Sequence, residues 1–426
     1  MPTMRREVLA WCCYDWANSG YTTSLITIFV VYLQRFVFNS ETWGNTGPIV
    51  WAWGVSASML LGAILSPILG ALADATASKR KWLAITAIGG GTACVAMAIV
   101  PPRLAWLVTA CFLFANLCLE LSLTVYNGFL PGIASEEEMN RVSAAGMGWG
   151  YLGGGLALLL AMLLLNFGES LGEMGTRLRW CIALTGVWWM FFTIPTVWTL
   201  RDRQRGHRSS TQAIGLLAAT KSAARDVVST LFQVRKYGTL ALFLLAFLFF
   251  NDGVQTVISQ SSTFALQEIH FSESELVGVI LMVQFLAVPG AILVGWLSDQ
   301  IGQKRALVLC LLVWIGLLTS AWCVKTKPAY WVMAVGVALV LGGTQSVSRA
   351  IMGVLTPQEH AAKFFGFFNL SGKATSFMGT FVFGLVIAWT GSSRLAVVNL
   401  LAFFIIGLVI LWRVNLSPAL ASVQKR

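Results

Sequence analysis

The sequence predicts an all-α polytopic membrane protein in which twelve transmembrane helices form two pseudo-repeated halves of six. Hydrophobic residues make up 57% of the 426 residues, whereas charged residues make up only 11%. Soluble domains carry roughly 25% charged residues. Apolar stretches of about 20 residues, the length that spans a bilayer as a helix, recur along the whole chain. This composition excludes an ordinary soluble protein.

The twelve predicted spans follow these apolar stretches in chain order. They cover residues 9–36, 50–73, 82–100, 104–130, 142–166, 179–200, 237–266, 275–298, 305–324, 329–355, 363–390 and 395–412. The basic start at residues 1–7 leads into an apolar run far longer than the hydrophobic region of a secretory signal. No cleavable signal peptide is therefore expected.

A polar and strongly basic segment, residues 201–236, separates the sixth and seventh spans. We expect it to be a cytoplasmic linker between an N-terminal half at residues 1–200 and a C-terminal half at residues 237–426. Its middle part, residues 211–232, is predicted to form an amphipathic helix that lies on the membrane surface.

The formal net charge of +11 is unevenly distributed along the chain. Most of the 29 Lys and Arg residues fall in segments that the predicted spans place on one side of the membrane. By the positive-inside rule this side is the cytoplasm, and both termini should face it. The basic charge thus sets topology and does not indicate nucleic-acid binding. We expect a multi-pass protein of a bacterial inner membrane, monomeric in the lipid bilayer.

No residue pattern indicates catalysis or a cofactor. The eight cysteines lie within or at the edges of apolar spans without metal-ligand spacing, and the three histidines lie in loops. The sequence has no nucleophile elbow and no zinc motif. We therefore expect no enzyme activity, no catalytic residue, no metal and no cofactor.

The two predicted halves share one loop. The loop after the second span and the loop after the eighth both have the pattern Gly-x-Leu-x-Asp followed by Lys-Arg, with Asp74 and Asp299 in equivalent positions. The turns at Pro131 and Pro357, after the fourth and tenth spans, are separated by the same interval to within one residue. Parallel six-helix repeats of this kind place a substrate site between the halves near the middle of the membrane.

This loop resembles the signature between helices two and three of the major facilitator superfamily. The resemblance implies the major facilitator fold and an inner gate, whose acidic and basic residues help to hold the inner face closed in the outward-open state. The corresponding residues here are Asp74, Lys79, Arg80, Asp299, Lys304 and Arg305. The second loop keeps the usual glycine before its basic residues, Gly302, whereas the first has Ala77 and Ser78.

Five further motifs resemble one branch of that superfamily. They are YDWANS at residues 14–19, YNGFLP at 126–131, FFNDGVQ at 249–255, QSVSR at 345–349 and FGFFNLSGK at 365–373. Their combination is similar to the autophagy-related vacuolar amino-acid effluxers and their bacterial relatives, and the chain resembles a bacterial-type member. The resemblance implies amino-acid substrates and efflux.

Polar residues inside the predicted spans are the candidates for a substrate and proton pathway. The tenth span carries Gln345 and Arg349, and the eleventh carries Asn369 and Lys373. Each pair is spaced i, i+4 and so lies on one helix face. Because a charge inside the bilayer is costly, these cations should face a cavity or a partner carboxylate. The other interpretation is an internal ion pair that locks helices together.

Acidic residues in the first and fourth spans are the predicted counterparts of these cations. The polar residues of these two spans are Asp15, Asn18, Asn116, Glu120, Tyr126 and Asn127. Spans four and ten hold equivalent places in the two halves. Glu120 is therefore expected to pair with Arg349 or with Lys373, unless its role is purely structural. Asp15 is either a structural tie to a neighbouring segment or a proton-responsive gate residue.

The seventh span adds Asn251, Asp252 and Gln255 to the predicted pathway, with Asp252 close to the middle of the membrane. Lys373 should lie at a similar depth, and its equivalent position in the first half is Tyr151. A cation would thus line one wall of the cavity and a phenol the other.

These features favour a secondary active transporter that moves a small polar or zwitterionic solute by alternating access, with protons as the coupling ion. Paired charges of both signs would suit a zwitterion such as an amino acid. Import of a peptide, a sugar derivative or a siderophore-like compound is one alternative. A lipid flippase and a receptor that has lost transport are two others.

Overall fold

The computed structural model describes residues 5–44, 46–202, 225, 238–373, 376–390 and 392–416. Within these ranges the chain is almost entirely helical and contains no β-strand. Most of the predicted linker lies outside the described residues. The predicted amphipathic helix at residues 211–232 lies outside them as well, apart from Arg225.

Six long helices form the N-terminal half. They are α1 (Arg6–Ser24), α2 (Thr46–Ala75), α3 (Lys79–Ile99), α4 (Ala105–Asn127), α5 (Met139–Phe167) and α6 (Met174–Thr199). After α1 the chain continues through two π-helical segments, Leu25–Phe29 and Tyr32–Val37. Together with α1 these segments cover the first predicted span.

The C-terminal half contains four long helices and four shorter ones. They are α7 (Gly238–Glu268), α8 (Glu273–Ile301), α9 (Gln303–Ser320), α10 (Lys327–Leu355), α11 (Ala361–Lys373), α12 (Ser376–Thr390), α13 (Ser393–Asn399) and α14 (Leu401–Arg413). The eleventh predicted span corresponds to α11 with α12, and the twelfth to α13 with α14.

Ten helical segments in the described ranges are long and apolar enough to cross a membrane, judged by length and composition. They lie in α2 to α10 and in Arg394–Arg413, and α12 contains the shorter apolar helix Met378–Ile387. α1 is not among them, since Asp15, Asn18 and several hydroxyl side chains interrupt its apolar residues. The all-α polytopic fold is confirmed, while the number of twelve spans stays a prediction.

The two halves pack their helices in the same way. In the N-terminal half α2 packs on α4, and α3 packs on α4 and α6. In the C-terminal half α8 packs on α10, and α9 packs on α10 and α14. The contact of α1 with α6 likewise has its counterpart in the contact of α7 with α14. The helix packing therefore reproduces the repeat that the loops predicted.

The repeated loops also share a positive backbone φ angle at one position. The residue three positions after each loop aspartate has a positive φ angle, +46° at Ala77 and +90° at Gly302. Glycine adopts such angles without steric cost, whereas alanine adopts them only at a steric cost. The first loop thus has a positive φ angle at this position although it lacks the glycine.

Two sets of helices join the halves: α11 packs against α2 and α4, and α5 packs against α8 and α10. Glycines allow this close approach. A Cβ atom added at Gly128 would lie 2.7 Å from the Cα of Ala362, and one added at Gly366 would lie 2.5 Å from the Cα of Pro67. Small residues at helix crossings are typical of membrane proteins, where packing rather than water exclusion drives association.

Candidate functional site

A buried ion pair joins the two halves. Arg349 of α10 donates a hydrogen bond from Nη1 to Oδ2 of Asp15 in α1, at 2.8 Å. The two side chains are only 4% and 7% exposed. Removing both charges from water is costly, so such a pair persists only when further hydrogen bonds satisfy its remaining polar atoms.

Arg349 has these further contacts on α5 and α1. Its Nε donates to Oγ of Ser143 at 3.1 Å, and its Nη2 donates to the carbonyl oxygen of Ser143 at 2.8 Å. The Ser143 hydroxyl in turn donates to the carbonyl oxygen of Ser346 at 2.6 Å. The guanidinium also lies 4.7 Å from the ring centroid of Trp11, within the range of a cation–π interaction. The guanidinium of α10 is thereby bound by two other helices, α1 and α5.

The predicted pairing of Glu120 with Arg349 is wrong, because Arg349 pairs with Asp15. Helix α10 packs against α5, which brings Ser143 to Arg349, whereas α4 packs against α11. Glu120 is buried at 2% exposure, and its backbone carbonyl accepts a hydrogen bond from Asn369 of α11 at 2.9 Å. The alternative pairing with Lys373 stays a prediction, since the Lys373 side chain lies outside the described part of the chain.

The repeated loops lie at one end of the bundle, hereafter the basic end, together with the α4–α5 and α10–α11 turns. Here Asp299 accepts hydrogen bonds from Arg141 at 2.8 Å and from Asn140 at 3.0 Å, and both donors belong to the other half. The side chain of Gln303 extends this contact by donating to Oδ1 of Asn140 at 2.8 Å.

The equivalent aspartate bridges the halves as well. Asp74 forms an ion pair with Lys79 at 2.9 Å, and its Oδ2 accepts a hydrogen bond from the backbone N–H of Lys363 at 2.8 Å. Lys363 begins α11 of the other half, so each loop aspartate reaches across the interface. Gln358 adds a hydrogen bond to the carbonyl oxygen of Pro131 at 2.6 Å.

The remaining predicted gate residues do not bridge the halves through their described side-chain contacts. Lys304 donates to the carbonyl oxygens of Trp412 and Val414 in its own half, each at 2.7 Å. The backbone N–H groups of Lys79 and Arg80 bond to Asp202, which satisfies the start of α3. Burial raises the pKa of Asp202 above its usual value. The side chains of Arg80 and Arg305 are exposed.

A second layer of contacts lies farther from the basic end. Tyr151 of α5 donates to Oε1 of Gln345 in α10 at 2.8 Å, which brings together two predicted pathway residues. Gln284 of α8 donates to the Thr23 hydroxyl of α1 at 2.7 Å. Along α5 the contacts run from Asn140 to Tyr151, about 16 Å of helix rise.

Other predicted pathway residues stay within one half. The Asn18 side chain donates to the Tyr14 carbonyl at 2.7 Å, and that of Asn116 donates to Ser58. Tyr126 stacks on Trp11 with ring centroids 4.7 Å apart, and the Trp11 indole donates to the Tyr126 carbonyl at 3.2 Å. Asn127 and Gln255 are half-buried.

Asp252 lies in the middle of α7, and its side chain points to α12. Its Oδ2 accepts a hydrogen bond from the backbone N–H of Gly379 at 2.9 Å, and the residue is 1% exposed. The neighbouring Asn251 donates to the carbonyl oxygen of Gly372 at the end of α11, at 3.1 Å. Helix α7 is thus bound to both parts of the eleventh predicted span.

Sequence reasoning missed several residues that build this site. Ser143 and Trp11 hold Arg349, Asn140 and Arg141 bind Asp299, and Gln284 binds Thr23. A signal existed for Gln284, because it is a lone amide in an otherwise apolar stretch, and intramembrane polar residues usually face a partner. Ser143 and Trp11 carried no comparable signal.

The arrangement is a polar interface between the two halves. Among the described residues no cluster of three or more His, Cys, Asp or Glu side chains has the geometry to hold a metal ion. The described polar contacts between the halves run from the basic end to the level of Thr23 and Gln284. They close the interface over that length.

Comparison with protein families gives this interface its context. A family model described as vacuole effluxer Atg22 like matches residues 49–423, which is most of the chain. The protein belongs to this family. It is a multi-pass membrane transporter of the major facilitator type, and its relatives and structural neighbours are transporters rather than enzymes.

Two curated relatives illustrate the range of the family. The uncharacterized MFS-type transporter YxiO of Bacillus subtilis strain 168 is 29% identical over 416 residues, which cover 96% of this chain and 95% of the relative. Autophagy-related protein 22 of Cryptococcus neoformans var. neoformans serotype D is 28% identical over 291 residues, covering 65% of this chain and 50% of the relative. The match to the fungal protein thus spans half of that protein's length.

Solved structures agree on the fold. The human organic anion transporter MFSD10 (TETRAN) superimposes with a TM-score of 0.76 at 14% identity, over 96% of this chain and 100% of that chain. The proton:xylose symporter XylE superimposes with a TM-score of 0.72 at 12% identity, over 96% and 94%. The predicted major facilitator fold and the resemblance to a bacterial-type Atg22 relative are confirmed.

Proposed function

We propose that this protein is a secondary active transporter that moves a small polar or zwitterionic solute, an amino acid or a related compound, by alternating access. The observation that carries the proposal is the buried Asp15–Arg349 pair at 2.8 Å, which joins the two halves through polar atoms. The hydrogen bonds of Asp74 and Asp299 across the same interface support it.

An interface of this kind is suited to opening and closing. Interfaces between domains that are polar rather than uniformly apolar permit relative motion. Here the polar contacts lie toward the basic end, so breaking them separates the halves at that end. We assign the present conformation to a state that is closed at the basic end and in which a solute would enter from the other end.

The substrate class follows from the charges of both signs in the pathway. Arg349 or Lys373 offers a cation for a carboxylate, and Glu120 offers a carboxylate for an ammonium group. The description of the family as vacuole effluxers supports export as the direction. An amino acid, which carries both groups, is the simplest substrate that uses both kinds of site.

Proton coupling is the energy source that we propose. Uphill movement that is not driven by nucleotide hydrolysis requires an ion gradient. Asp15, Glu120 and Asp252 are buried carboxylates in helices of a membrane protein. Such residues commonly belong to proton relays.

The orientation follows from the distribution of basic residues. We propose that the basic end and both termini face the cytoplasm of a bacterial inner membrane. The working unit is a monomer in the bilayer, and its other partners are the solute and protons.

A ligand screen followed by counterflow tests the proposed function. The purified protein is heated in the presence of amino acids, peptides, organic acids and lipids, and the melting temperature is recorded. A ligand at 100 times its Kd stabilises the folded state by about 2.7 kcal/mol. Stabilising solutes are then tested for radiolabel exchange in proteoliposomes. We expect amino acids to stabilise the protein and to exchange.

The alternatives give different results in this experiment. Stabilisation by lipids alone would favour a flippase, and stabilisation by peptides or sugar derivatives would favour the importer. A stabilising amino acid that shows no exchange would indicate a receptor. A protonophore provides the internal control, since it should abolish accumulation under a pH gradient while leaving exchange intact.

A further inference from the structure

Asp252 is a buried carboxylate whose surroundings differ from those of three other aspartates in the helix bundle, Asp15, Asp74 and Asp299. It is 1% exposed, and one of its oxygens, Oδ2, accepts the backbone N–H of Gly379. The other oxygen, Oδ1, has no hydrogen-bond partner among the described residues. By contrast, Asp15 binds Arg349, Asp74 binds Lys79 and Asp299 binds Arg141.

Among the described residues, no basic side chain on the helices packed against α7 contacts this carboxylate. α7 packs against α8, α10, α11, α12, α13 and α14. The sequence of α12 contains no ionisable residue. Several ionisable residues of the other elements form their bonds with groups other than Asp252. These pairs are Glu275 with Lys327, Asp299 with Arg141, Tyr330 with Ser261, Arg349 with Asp15, and Arg394 with Glu268.

Four ionisable residues on these helices remain. Glu273 and Arg413 lie at the start of α8 and the end of α14, and Lys363 lies near the start of α11 at the basic end. Lys373 follows Gly372, whose carbonyl bonds to Asn251, so it lies close to the level of Asp252. Its side chain falls outside the described residues, and the experiment below therefore includes it.

Burial in this environment favours the protonated carboxyl group over the ionised carboxylate. An isolated ionised carboxylate in an apolar interior costs many kcal/mol, whereas the neutral acid costs much less. A single backbone hydrogen bond does not offset the larger cost. Because Oδ2 already accepts from Gly379, Oδ1 is the atom left to hold the proton.

We propose that Asp252 holds the coupled proton in this conformation, at Oδ1, and releases it when α11 and α12 move relative to α7. The proposal deepens the proposed function and rests on it. Asn369 of α11 contacts α4 of the other half, and Gly379 of α12 contacts Asp252. Opening of the basic end would therefore shift the chain segment that shields the proton.

Infrared spectroscopy detects the proton directly. A protonated carboxyl group has a C=O stretch that is separate from carboxylate bands and shifts in heavy water. We expect the reconstituted wild-type protein to show this band at neutral pH and Asp252→Asn to lack it. Asp15→Asn is the matched control and should retain the band. A band that persists in full in Asp252→Asn overturns the proposal.

Two further variants keep the result clear. Asp252→Glu should keep a carboxyl band at a shifted frequency, and it serves if Asp252→Asn fails to fold. Lys373→Met tests for a hidden ion pair. If Lys373 neutralises an ionised Asp252, the wild type lacks the band and Lys373→Met gains it, which overturns the proposal. An unchanged band in Lys373→Met supports it.

Transport assays separate this proposal from the proposed function. Asp252→Asn should lower accumulation under a pH gradient at least tenfold while leaving exchange within twofold of wild type. Wild-type accumulation in Asp252→Asn would overturn the coupling role. Absence of exchange and accumulation in the wild-type protein would instead contradict the proposed function, whatever the infrared result.

Discussion

The Asp15–Arg349 pair shows how single residues tie the two halves together. Both charges are almost completely buried, yet the guanidinium has hydrogen bonds to Asp15 and to two atoms of Ser143. A buried pair of this kind adds little stability relative to apolar residues, but breaking it leaves one charge uncompensated. Its value here lies in specifying which helices meet in the closed state.

Removing one member of this pair should therefore be worse than removing both charges. Arg349→Met leaves Asp15 ionised and buried, and we expect a loss of about 3–5 kcal/mol in unfolding free energy. The double variant Asp15→Asn with Arg349→Gln should recover more than half of that loss. Ser143→Ala, which removes a single hydroxyl, is the matched control and should cost about 1–3 kcal/mol. Denaturant unfolding of the purified proteins measures all of them.

A double variant as unstable as Arg349→Met would contradict this explanation. It would mean that the side chains contribute through shape and not through charge. Exchange assays on the wild type and these three variants report whether closure of the basic end depends on the pair.

The repeated loops offer a second test at the level of residues. Ala77 has a φ of +46°, and a left-handed conformation costs a non-glycine residue about 1–2 kcal/mol. Ala77→Gly should remove that cost, and the net gain should be about 0.5–1 kcal/mol because glycine loses more entropy on folding. Thermal melts measure the change.

The other copy of the loop is the matched control. Gly302 has a φ of +90°, and a Cβ added there would meet nothing within 4 Å. Gly302→Ala should therefore introduce strain alone and lower stability by a similar amount. Opposite signs in the two variants are expected, and equal signs would refute the equivalence of the two turns.

Among the helices, α11 links the two halves, as α5 does. It packs against α2 and α4 of the N-terminal half and against α7 of its own half. Its glycine Gly366 lies over Pro67 of α2, and Asn369 reaches the carbonyl of Glu120 on α4. A displacement of α11 thus changes both sides of the pathway.

Gly366→Ala should separate α11 from α2. The added Cβ would lie 2.5 Å from the Cα and 2.7 Å from the N of Pro67, and a backbone cannot yield as a flexible side chain does. We expect lower thermal stability and a loss of most exchange activity. Both are measured on purified and reconstituted protein.

Gly384→Ala in α12 is the matched control, because a Cβ there meets nothing within 4 Å. Alanine in a helix is more stable than glycine by about 0.5–1 kcal/mol, so this variant should be as stable as the wild type or slightly more stable. Equal behaviour of the two variants would contradict the packing explanation.

In the molecule as a whole, two loops connect the halves at the basic end. Asp74 binds the start of α11, and Asp299 binds the start of α5. The Asp74 side chain is 4% exposed, whereas Arg141, the partner of Asp299, is 70% exposed. Exposed ion pairs contribute about 0–1 kcal/mol. Asp74 should therefore matter more for closure.

Thiol labelling tests this ranking. A reporter, Ser346→Cys, is placed in the buried interface of a protein that lacks the eight native cysteines. Labelling from the basic end should become severalfold faster with Asp74→Asn and modestly faster with Asp299→Asn. Lys304→Gln, whose partners are carbonyls of its own half, should leave the rate unchanged. Unchanged rates for both aspartate variants would disprove the gate.

The sequence by itself determined the membrane class, the two halves and the repeated loops. These properties depend on hydropathy and on local motifs, and both are determined by residues that are consecutive in the sequence. The same holds for the polar stripes, since Gln345 and Arg349 share a face through helix geometry alone. The Tyr151–Gln345 contact shows that residues chosen in this way do meet across the interface.

The tertiary structure alone decided which charges pair. Arg349 meets Asp15, and α5 supplies Ser143 as the third member of the site. Depth along a helix, which the sequence gives, placed Glu120 near enough to be considered. The choice depends on the rotation of each helix and on which helices are neighbours, because a hydrogen bond requires atoms about 3 Å apart. Those quantities are set by the packing of all the helices together.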